Sequence, residues 1–300
     1  MQREKLKGHL AIAVAYTIFG LNVVFNKDIA NAAVISPMVL FTLRAIGASA
    51  IFWLVSFFLP EEKVPKEDLP RIALASMVGL FIPQLTFLYA ITMSTAIDTT
   101  IMGTLGPIFT MIFAFFFLKE PITLKKAGGV ALSFAGVLFL IFNSVYSGGA
   151  SSSSATGIAL LLVNSISFSL YLGVFRPLIS RYSVITFMKW TFLFALLASL
   201  PFSFGGLLKT DFSIISPKVW MEIGFLIIFA TFVAYFLIPL GQKRIRPTLV
   251  SLYAYIQPII AAGISIMTGI DTLNWQKIAA IVLIAGGVVT VSFSRAAPEE

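Results

Sequence analysis

The sequence contains no cysteine, and only 11% of its 300 residues are charged. Without cysteine there is no disulfide framework, no thiolate metal site and no cysteine nucleophile. A soluble domain carries roughly 25% charged residues. Because 58% of this chain is apolar, it has too little polar surface for a water-soluble fold. The composition therefore predicts an integral membrane protein.

Carboxylates are absent from the middle of the long apolar runs. All thirteen Asp and Glu residues lie in loops, near the ends of the runs or in the tails. A carboxylate at membrane depth typically marks a proton or cation pathway, so an antiporter of cationic drugs and protons is disfavoured. The chain also lacks a P-loop, an H-E-x-x-H motif and a nucleophile elbow. We therefore expect no enzyme, no metal and no cofactor.

The chain does contain ten apolar runs that are long enough to cross a membrane. A spanning helix needs ~20 mostly apolar residues, and none of the runs alternates as barrel strands do. The first run continues past signal-peptide length, so we interpret it as a retained span. The sequence predicts an all-α membrane protein with spans at 8–27, 37–59, 70–92, 98–118, 124–143, 155–175, 184–206, 219–240, 248–268 and 275–293.

The basic residues predict the orientation of the spans. Fifteen of the 21 Lys and Arg residues lie in the tails and loops on one side, and four lie on the other. Loops rich in Lys and Arg stay in the cytoplasm, so both termini are predicted to be cytoplasmic. The same distribution explains the formal charge of +8 without any nucleic-acid partner.

A long internal repeat divides the chain. The stretch 104–137 returns 151 positions later as 255–288, so that Pro107 aligns with Pro258 and Gly136 with Gly287. A repeat of this length indicates two copies of one unit. We predict a first repeat at 1–146, a Gly/Ser linker at 147–156 and a second repeat at 157–300. Five spans per copy, an odd number, would place the copies upside down relative to each other.

The matched prolines fall near the middle of spans four and nine. A proline frees a carbonyl and kinks its helix, and such backbone is tolerated at that depth only inside a bundle or beside a cavity. Either proline alone could be a packing kink. Two at matched depth favour a central cavity, with Pro107 and Pro258 as hinges.

Polar side chains recur in corresponding spans of both copies. Polar groups in lipid are costly, so they face the interior. They could act as contacts between helices, worth about 0.6 kcal/mol each, or they could line one shared cavity, which the whole set favours. Arg44 could bind a substrate carboxylate or stabilise helix ends. The candidate binding residues are Asn22, Asn26, Arg44, Gln84, Thr104, Asn164, Tyr171, Tyr235, Tyr255 and Gln257.

The segment LKEPITLKKAGGVALSFAGV resembles the C-terminal part of the EamA-type repeat of the drug/metabolite transporter superfamily, and SPMVLFTLRAIGA resembles that family's second helix. The second copy departs from the pattern, with Asp271 for the acid and no counterpart of Arg44. The resemblance implies two inverted five-helix bundles, alternating access and a site between helices one to four and six to nine. Length and layout are most similar to the ten-helix bacterial amino-acid exporters of the YddG kind.

Residues and resemblance together predict a secondary transporter of small metabolites in a bacterial cytoplasmic (inner) membrane, exporting amino acids at a central cavity. The alternative is a sugar, nucleotide-sugar or phosphorylated-metabolite transporter of the same fold; a membrane enzyme or a plain channel is disfavoured. The buried cations point to a solute with a carboxylate or phosphate. The expected partners are this solute and the lipid bilayer, and the protein is expected to be a monomer or a homodimer.

Overall fold

The computed structural model describes residues 2–94, 96–119, 122–146 and 153–267, together with residues 275, 278, 279, 282, 283, 286, 287 and 290. All regular secondary structure in these residues is helical. Most of the predicted tenth span, 275–293, and most of the predicted linker lie outside the described residues. The described part of the fold therefore corresponds to the first nine predicted spans.

Eleven α-helices account for these nine spans, and a short one, the eighth of twelve along the chain, lies between two spans. Six helices are long and apolar enough to cross a membrane, namely the first, second, third, seventh, ninth and tenth. The outer surfaces of the long and the shorter helices carry large exposed apolar side chains such as Phe57, Phe116 and Phe202, as a lipid-facing surface requires. The helices are α1 (Gln2–Ala32), α2 (Pro37–Phe57), α3 (Leu69–Met93), α4 (Ala96–Gly103), α5 (Gly106–Leu118), α6 (Leu124–Tyr146), α7 (Ala155–Val174), α8 (Arg176–Arg181), α9 (Val184–Lys209), α10 (Pro217–Gln242), α11 (Pro247–Leu252) and α12 (Ile256–Met267).

Serine caps fix where four of the long helices begin. Ser36, Ser154, Ser183 and Ser216 each accept a hydrogen bond from the backbone N–H three residues further on. Such a cap satisfies a donor that has no partner within the helix. Because Ser36 caps α2 and Ser183 caps α9, the second span of each predicted copy starts in the same way.

Two of the long helices contain a wide π-type segment. Met77–Phe81 forms one in α3, and Leu226–Val233 forms one in α10. The repeat offset of 151 carries 77–81 onto 228–232, which lies inside the second segment. Because π segments are rare and leave carbonyls displaced from the regular ladder, their recurrence at matched positions indicates a feature built into the repeated unit.

The predicted spans 98–118 and 248–268 are not single kinked helices, because each is interrupted. The chain leaves α4 at Gly103 and enters α5 at Gly106, and a 3₁₀ turn at Tyr253–Tyr255 separates α11 from α12. Each break lies just before the matched proline, Pro107 or Pro258. A proline fits the first turn of a helix because its missing N–H would have no partner there, and α5 and α12 restart one and two residues before their prolines, at Gly106 and Ile256.

The helices α1 and α10 lie antiparallel. Gly8 near the start of α1 packs against Arg244 beyond the end of α10, and Phe25 contacts Phe225 with 4.7 Å between ring centroids. The helices α2 and α9 are antiparallel as well: Val39 contacts Gly206, and the rings of Trp53 and Trp190 are 5.5 Å apart.

The helix α7 runs against α3 and along α4 and α5. Ser154 before α7 donates its N–H to Met93 O at the end of α3 (2.9 Å), and Ser167 donates to Val78 O (2.7 Å). Ser165 and Ser169 donate to Met102 O and Gly106 O, at 2.8 and 2.9 Å. These serines therefore serve carbonyls that the π segment and the α4–α5 break leave exposed.

The Lys27 ammonium group fixes the direction of α1 relative to α3. It lies near the end of α1 and donates to Ile91 O (3.0 Å) and Ser94 O (2.7 Å) at the end of α3. The two helices therefore run in the same direction.

A polar cluster joins the loops at the end of the bundle where α1 begins. The buried Asp68 carboxylate accepts a hydrogen bond from Tyr182 and lies 3.1 Å from Arg71 Nη1 and 3.4 Å from Arg181 Nη1. The Tyr182 hydrogen bond and the two arginines hold the pKa of Asp68 below its ordinary value of 3.8. Burial, together with Asp68, raises the pKa of Tyr182 to about 12.

We expect Asp68→Asn to lower the thermal stability of the purified protein at pH 7, because the two arginines lose their partner. Since the folded pKa of Asp68 is depressed, its contribution is complete above the pKa of an unfolded Asp and is lost as pH falls through the folded value. The difference in Tm from the wild type should therefore shrink on acidification. Glu67→Gln, at the exposed neighbouring carboxylate, should show no comparable difference at pH 7.

We expect Gly79→Ala to destabilise the protein by about 1–3 kcal/mol, the usual cost of overpacking a filled interior. A Cβ atom at Gly79 would overlap the buried ring of Tyr171, whereas a Cβ at Gly128 would meet nothing within 4 Å. Thermal unfolding in detergent measures the effect, with Gly128→Ala as the matched control. Equal Tm values for the two variants would contradict the close contact between α3 and α7.

Candidate functional site

A central cavity is enclosed by the helices of both halves. Its volume is about 100 Å³, and the empty space that includes the open mouth is about 690 Å³. Five of the predicted binding residues line it: Asn22, Gln84, Asn164, Tyr235 and Gln257. None of the described residues that line the cavity is charged. The walls therefore combine amide and hydroxyl groups with aromatic rings.

Gln84 and Tyr235 connect the two halves at the wall of the cavity. Gln84 Nε2 donates to the Tyr235 hydroxyl at 2.7 Å, and both side chains are buried. Phe19 and Phe192 pack on the Tyr235 ring at centroid distances of 5.6 and 5.7 Å. Because Gln84 and Tyr235 are separated by the repeat offset of 151, this hydrogen bond joins a residue to its own counterpart.

Asn164 and the Asn22–Asn26 pair supply the other amides. Asn164 Nδ2 donates to Pro83 O at 2.7 Å, which holds α7 against α3. Asn26 Nδ2 donates to Asn22 Oδ1 (2.9 Å) and to Asn22 O (2.7 Å). Asn22 therefore faces the cavity, while Asn26 lies one turn further along α1 and orients it.

Arg44 lies in α2 and is not among the residues that line the cavity. Its side chain is only 2% exposed, and Nε donates to Thr231 Oγ1 at 2.9 Å in the π segment of α10. Neither Nη atom has a hydrogen-bond acceptor among the described residues. The hydroxyl oxygen of Tyr235 interacts electrostatically with the guanidinium group of Arg44. Arg44 is therefore a buried cation directly behind the cavity wall.

The remaining predicted residues lie at packing positions around the cavity. Tyr171 packs on Gly79 and stacks between Phe168 and Phe175, at centroid distances of 5.9 and 6.2 Å. The other four are buried at the two helix breaks: Thr104 and Pro107 at the first, and Tyr255 and Pro258 at the second. These residues shape the walls rather than present groups to the cavity.

Several lining residues were not among the predicted candidates. Tyr16 lies three residues before Phe19 and six before Asn22 on the same face of α1, so the helical spacing of that stripe could have identified it. Ser165 and Ser169 are four residues apart on α7 and would follow from the same spacing. Ser251 has a signal of another kind, because it aligns with Thr100 at the repeat offset of 151, whereas Thr110 has no comparable signal in the sequence. The unpredicted polar lining residues are Tyr16, Thr110, Ser165, Ser169 and Ser251.

The cavity does not have the chemistry of a metal site. Within the described part of the chain, no group of three or more His, Asp or Glu side chains is placed to hold a metal ion. The polar groups that face the cavity are neutral donors and acceptors, which suit hydrogen bonding to a small solute.

Comparison with known proteins finds transporters over nearly the whole chain. An "Uncharacterized transporter YetK" of Bacillus subtilis is 22% identical over 99% of this chain and 90% of its own length. An "Uncharacterized inner membrane transporter YicL" of Salmonella typhimurium is 26% identical over 87% of each chain. A solved crystal structure aligns with a TM-score of 0.76 and 17% identity, over 97% of this chain and 98% of its own, which shows a shared fold.

The family comparison matches each half of the chain separately. The pattern of the EamA-like transporter family fits residues 6–142 and fits again at 155–293. The two matches cover far more than half of the sequence and include all the helices that line the cavity. Together with six helices long and apolar enough to cross a membrane, they show that this chain is a multi-pass membrane transporter that belongs to the EamA-like transporter family.

Proposed function

We propose that the protein is a secondary transporter that moves small metabolites, foremost amino acids, out of the cell by alternating access at the central cavity. Its ten spans form two inverted five-helix repeats in a bacterial cytoplasmic membrane, with both termini in the cytoplasm. The protein works as a monomer or a homodimer and forms no covalent intermediate with its solute.

The directions of the helices support the inverted arrangement. Because α1 runs parallel to α3 and α3 runs against α7, the first helices of the two copies, α1 and α7, point in opposite directions. By the same reasoning α3 opposes its counterpart α10, since α10 runs against α1. The pair α2 and α9 is antiparallel by direct contact. Thus all three pairs of long, matched helices are reversed.

The hydrogen bond between Gln84 and Tyr235 is the single observation that carries the proposal. Two positions related by a pseudo-two-fold axis can touch each other only beside that axis, so this bond supports an axis that runs past the wall of the cavity. Sites at the interface of inverted repeats are the usual substrate sites of secondary transporters. The solute would then be bound by groups from both halves.

The lining chemistry favours a solute with little net charge. Phosphate groups are typically bound by Arg or Lys through charge-assisted hydrogen bonds, and no charged residue lines the described cavity. A zwitterionic amino acid carries no net charge and can use the amides of Asn22, Asn164 and Gln257, while its side chain packs on Phe19, Phe87 or Phe168.

The second candidate is a transporter of a sugar, nucleotide sugar or phosphorylated metabolite, and Arg44 is the observation that favours its anionic solutes. Its guanidinium group is buried, and both Nη atoms lack acceptors among the described residues. A movement of Tyr235 would open the cavity toward Arg44. The two candidates are separated by offering both solute classes in one transport assay.

The helix breaks provide the places where the bundle can bend. The backbone leaves the α-helical hydrogen-bond pattern at 104–105 and at Tyr253–Tyr255, and each break precedes a proline that bears no N–H. Bending there disrupts few additional hydrogen bonds, so the segments beyond Pro107 and Pro258 can move relative to α1 and α7.

We expect proteoliposomes that contain the protein to exchange labelled amino acids, and Asn22→Ala to reduce the rate by about 10-fold. One hydrogen bond contributes ~0.5–1.5 kcal/mol, and 1.4 kcal/mol corresponds to a factor of ten. Asn31→Ala, at an exposed position beyond the cavity on the same helix, should transport at the wild-type rate. Movement of anionic metabolites but of no amino acid would favour the second candidate, and movement of neither would reject both.

The inverted topology predicts which side of the membrane each loop faces. Since the chain has no cysteine, single variants can be labelled with a membrane-impermeant maleimide in whole cells. Asn31→Cys and Ser213→Cys should react from outside, and Glu67→Cys should react only after permeabilisation. Labelling of Asn31→Cys and Ser213→Cys from opposite sides would contradict the proposed topology.

A further inference from the structure

Glu222 is a buried carboxylate that the cavity does not use. It lies on the first turns of α10, and its side chain is only 6% exposed. Its Oε2 atom has no hydrogen-bond donor among the described residues. An ionised carboxylate is costly to bury unless it is paired and hydrogen-bonded. Glu222 must therefore either hold a proton or pair with a cation of its own.

Within the described part of the chain, the groups around Glu222 provide one cation for two carboxylates. Lys218 Nζ forms an ion pair with Asp28, near the end of α1, and lies 3.7 Å from Glu222 Oε1. Both carboxylates pair with the same ammonium group, so the two lie next to each other. Two ionised carboxylates cannot hydrogen-bond to each other, and adjacent like charges favour retention of one proton by the pair.

The neighbouring charged groups are already engaged elsewhere. Lys27 donates to backbone carbonyls at the end of α3, and Asp211 accepts from the N–H and hydroxyl of Ser213. Below the cluster, the rings of Phe25 and Phe225 are in contact at 4.7 Å. Along α1 this aromatic pair lies between Asp28 and the cavity residue Val23, so apolar rings separate the cluster from the cavity.

We propose that Asp28, Lys218 and Glu222 form a proton-binding site that holds the ends of α1 and α10 together above the cavity. With one proton shared by the carboxyls, the cluster is neutral and the two helix ends stay in contact. When the proton leaves, a buried negative charge remains, and hydration of Glu222 requires the ends to separate. The site itself stands on the geometry, while its role in opening the cavity rests on the proposed transport function.

The proton is measured directly by infrared spectroscopy of the reconstituted full chain. The wild type should show a protonated-carboxyl band that disappears as the pH is raised. Glu222→Gln should lack this titrating band, and Asp28→Asn should shift its loss to lower pH, because the like charge is removed. Asp211→Asn, a carboxylate at the same end of the bundle, should titrate like the wild type. Persistence of the band in Glu222→Gln would overturn the site.

The effect on access is measured with a cysteine in the cavity. The Val23→Cys variant in proteoliposomes is treated with an impermeant maleimide on the side from which Asn31→Cys reacts. Its labelling rate is divided by that of Asn31→Cys at each pH, because the reactivity of any exposed thiol depends on pH. The ratio should rise by about tenfold as the carboxyl band disappears, which matches a tenfold difference in proton affinity between the closed and open states. In the Glu222→Gln background the ratio should stay low.

A ratio that does not depend on pH in the wild type, or that rises equally with Glu222→Gln, would show that the proton-binding site does not control access to the cavity. Neither readout needs a known solute, so a failure of the amino-acid transport assay would leave both results interpretable. The two proposals can therefore fail separately.

Discussion

The membrane interior contains no water, so every polar group at that depth must find its partner within the protein. This constraint explains the arrangement of the helices. The displaced carbonyls of the α3 π segment and of the α4–α5 break are met by serines of α7, and the carbonyls at the end of α3 are met by Lys27. The irregular backbone and its donors therefore gather on the inside of the bundle, and the cavity forms among them.

Contacts between polar side chains join the halves at both ends of the bundle and in its middle. At the end where α1 begins, Asp68 and Tyr182 join the loops; in the middle, Gln84 and Tyr235 meet; at the other end, Asp28 and Lys218 form an ion pair. A transporter that exposes one site to each side in turn must break the contacts at one end while it keeps those at the other. The polar clusters at the two ends have the chemistry for this exchange, because ion pairs gain hydration when they separate.

The interior of the bundle contains more charge than its cavity does. Arg44 and Glu222 are both buried, and both have atoms without partners among the described residues. Structures retain such groups at a cost in stability when they serve binding or switching. In this fold the cation lies behind the wall of the cavity and the carboxylate lies beyond its end, so the two are in different parts of the bundle.

Much of the architecture was predictable from the sequence. Long apolar runs require helices in lipid, and the offset of 151 identified Gln84 and Tyr235 as counterparts. The matched prolines located the irregular backbone, although the helices break before them instead of bending at them. The recognition of the family is confirmed by the match of both halves. The ten-helix count remains a prediction, since most of the tenth span lies outside the described residues.

The sequence by itself determined the class of the protein, the repeat and the set of costly polar residues, because these follow from hydropathy and spacing along the chain. Only the tertiary structure decided which of those residues line the cavity. Asn22 faces it while Asn26 supports Asn22, and Arg44 lies behind the wall. It also decided that Glu222, only a few residues from a helix end, is buried against α1. Burial depends on which helix packs on which face, and that information is not contained in the pattern of any single helix.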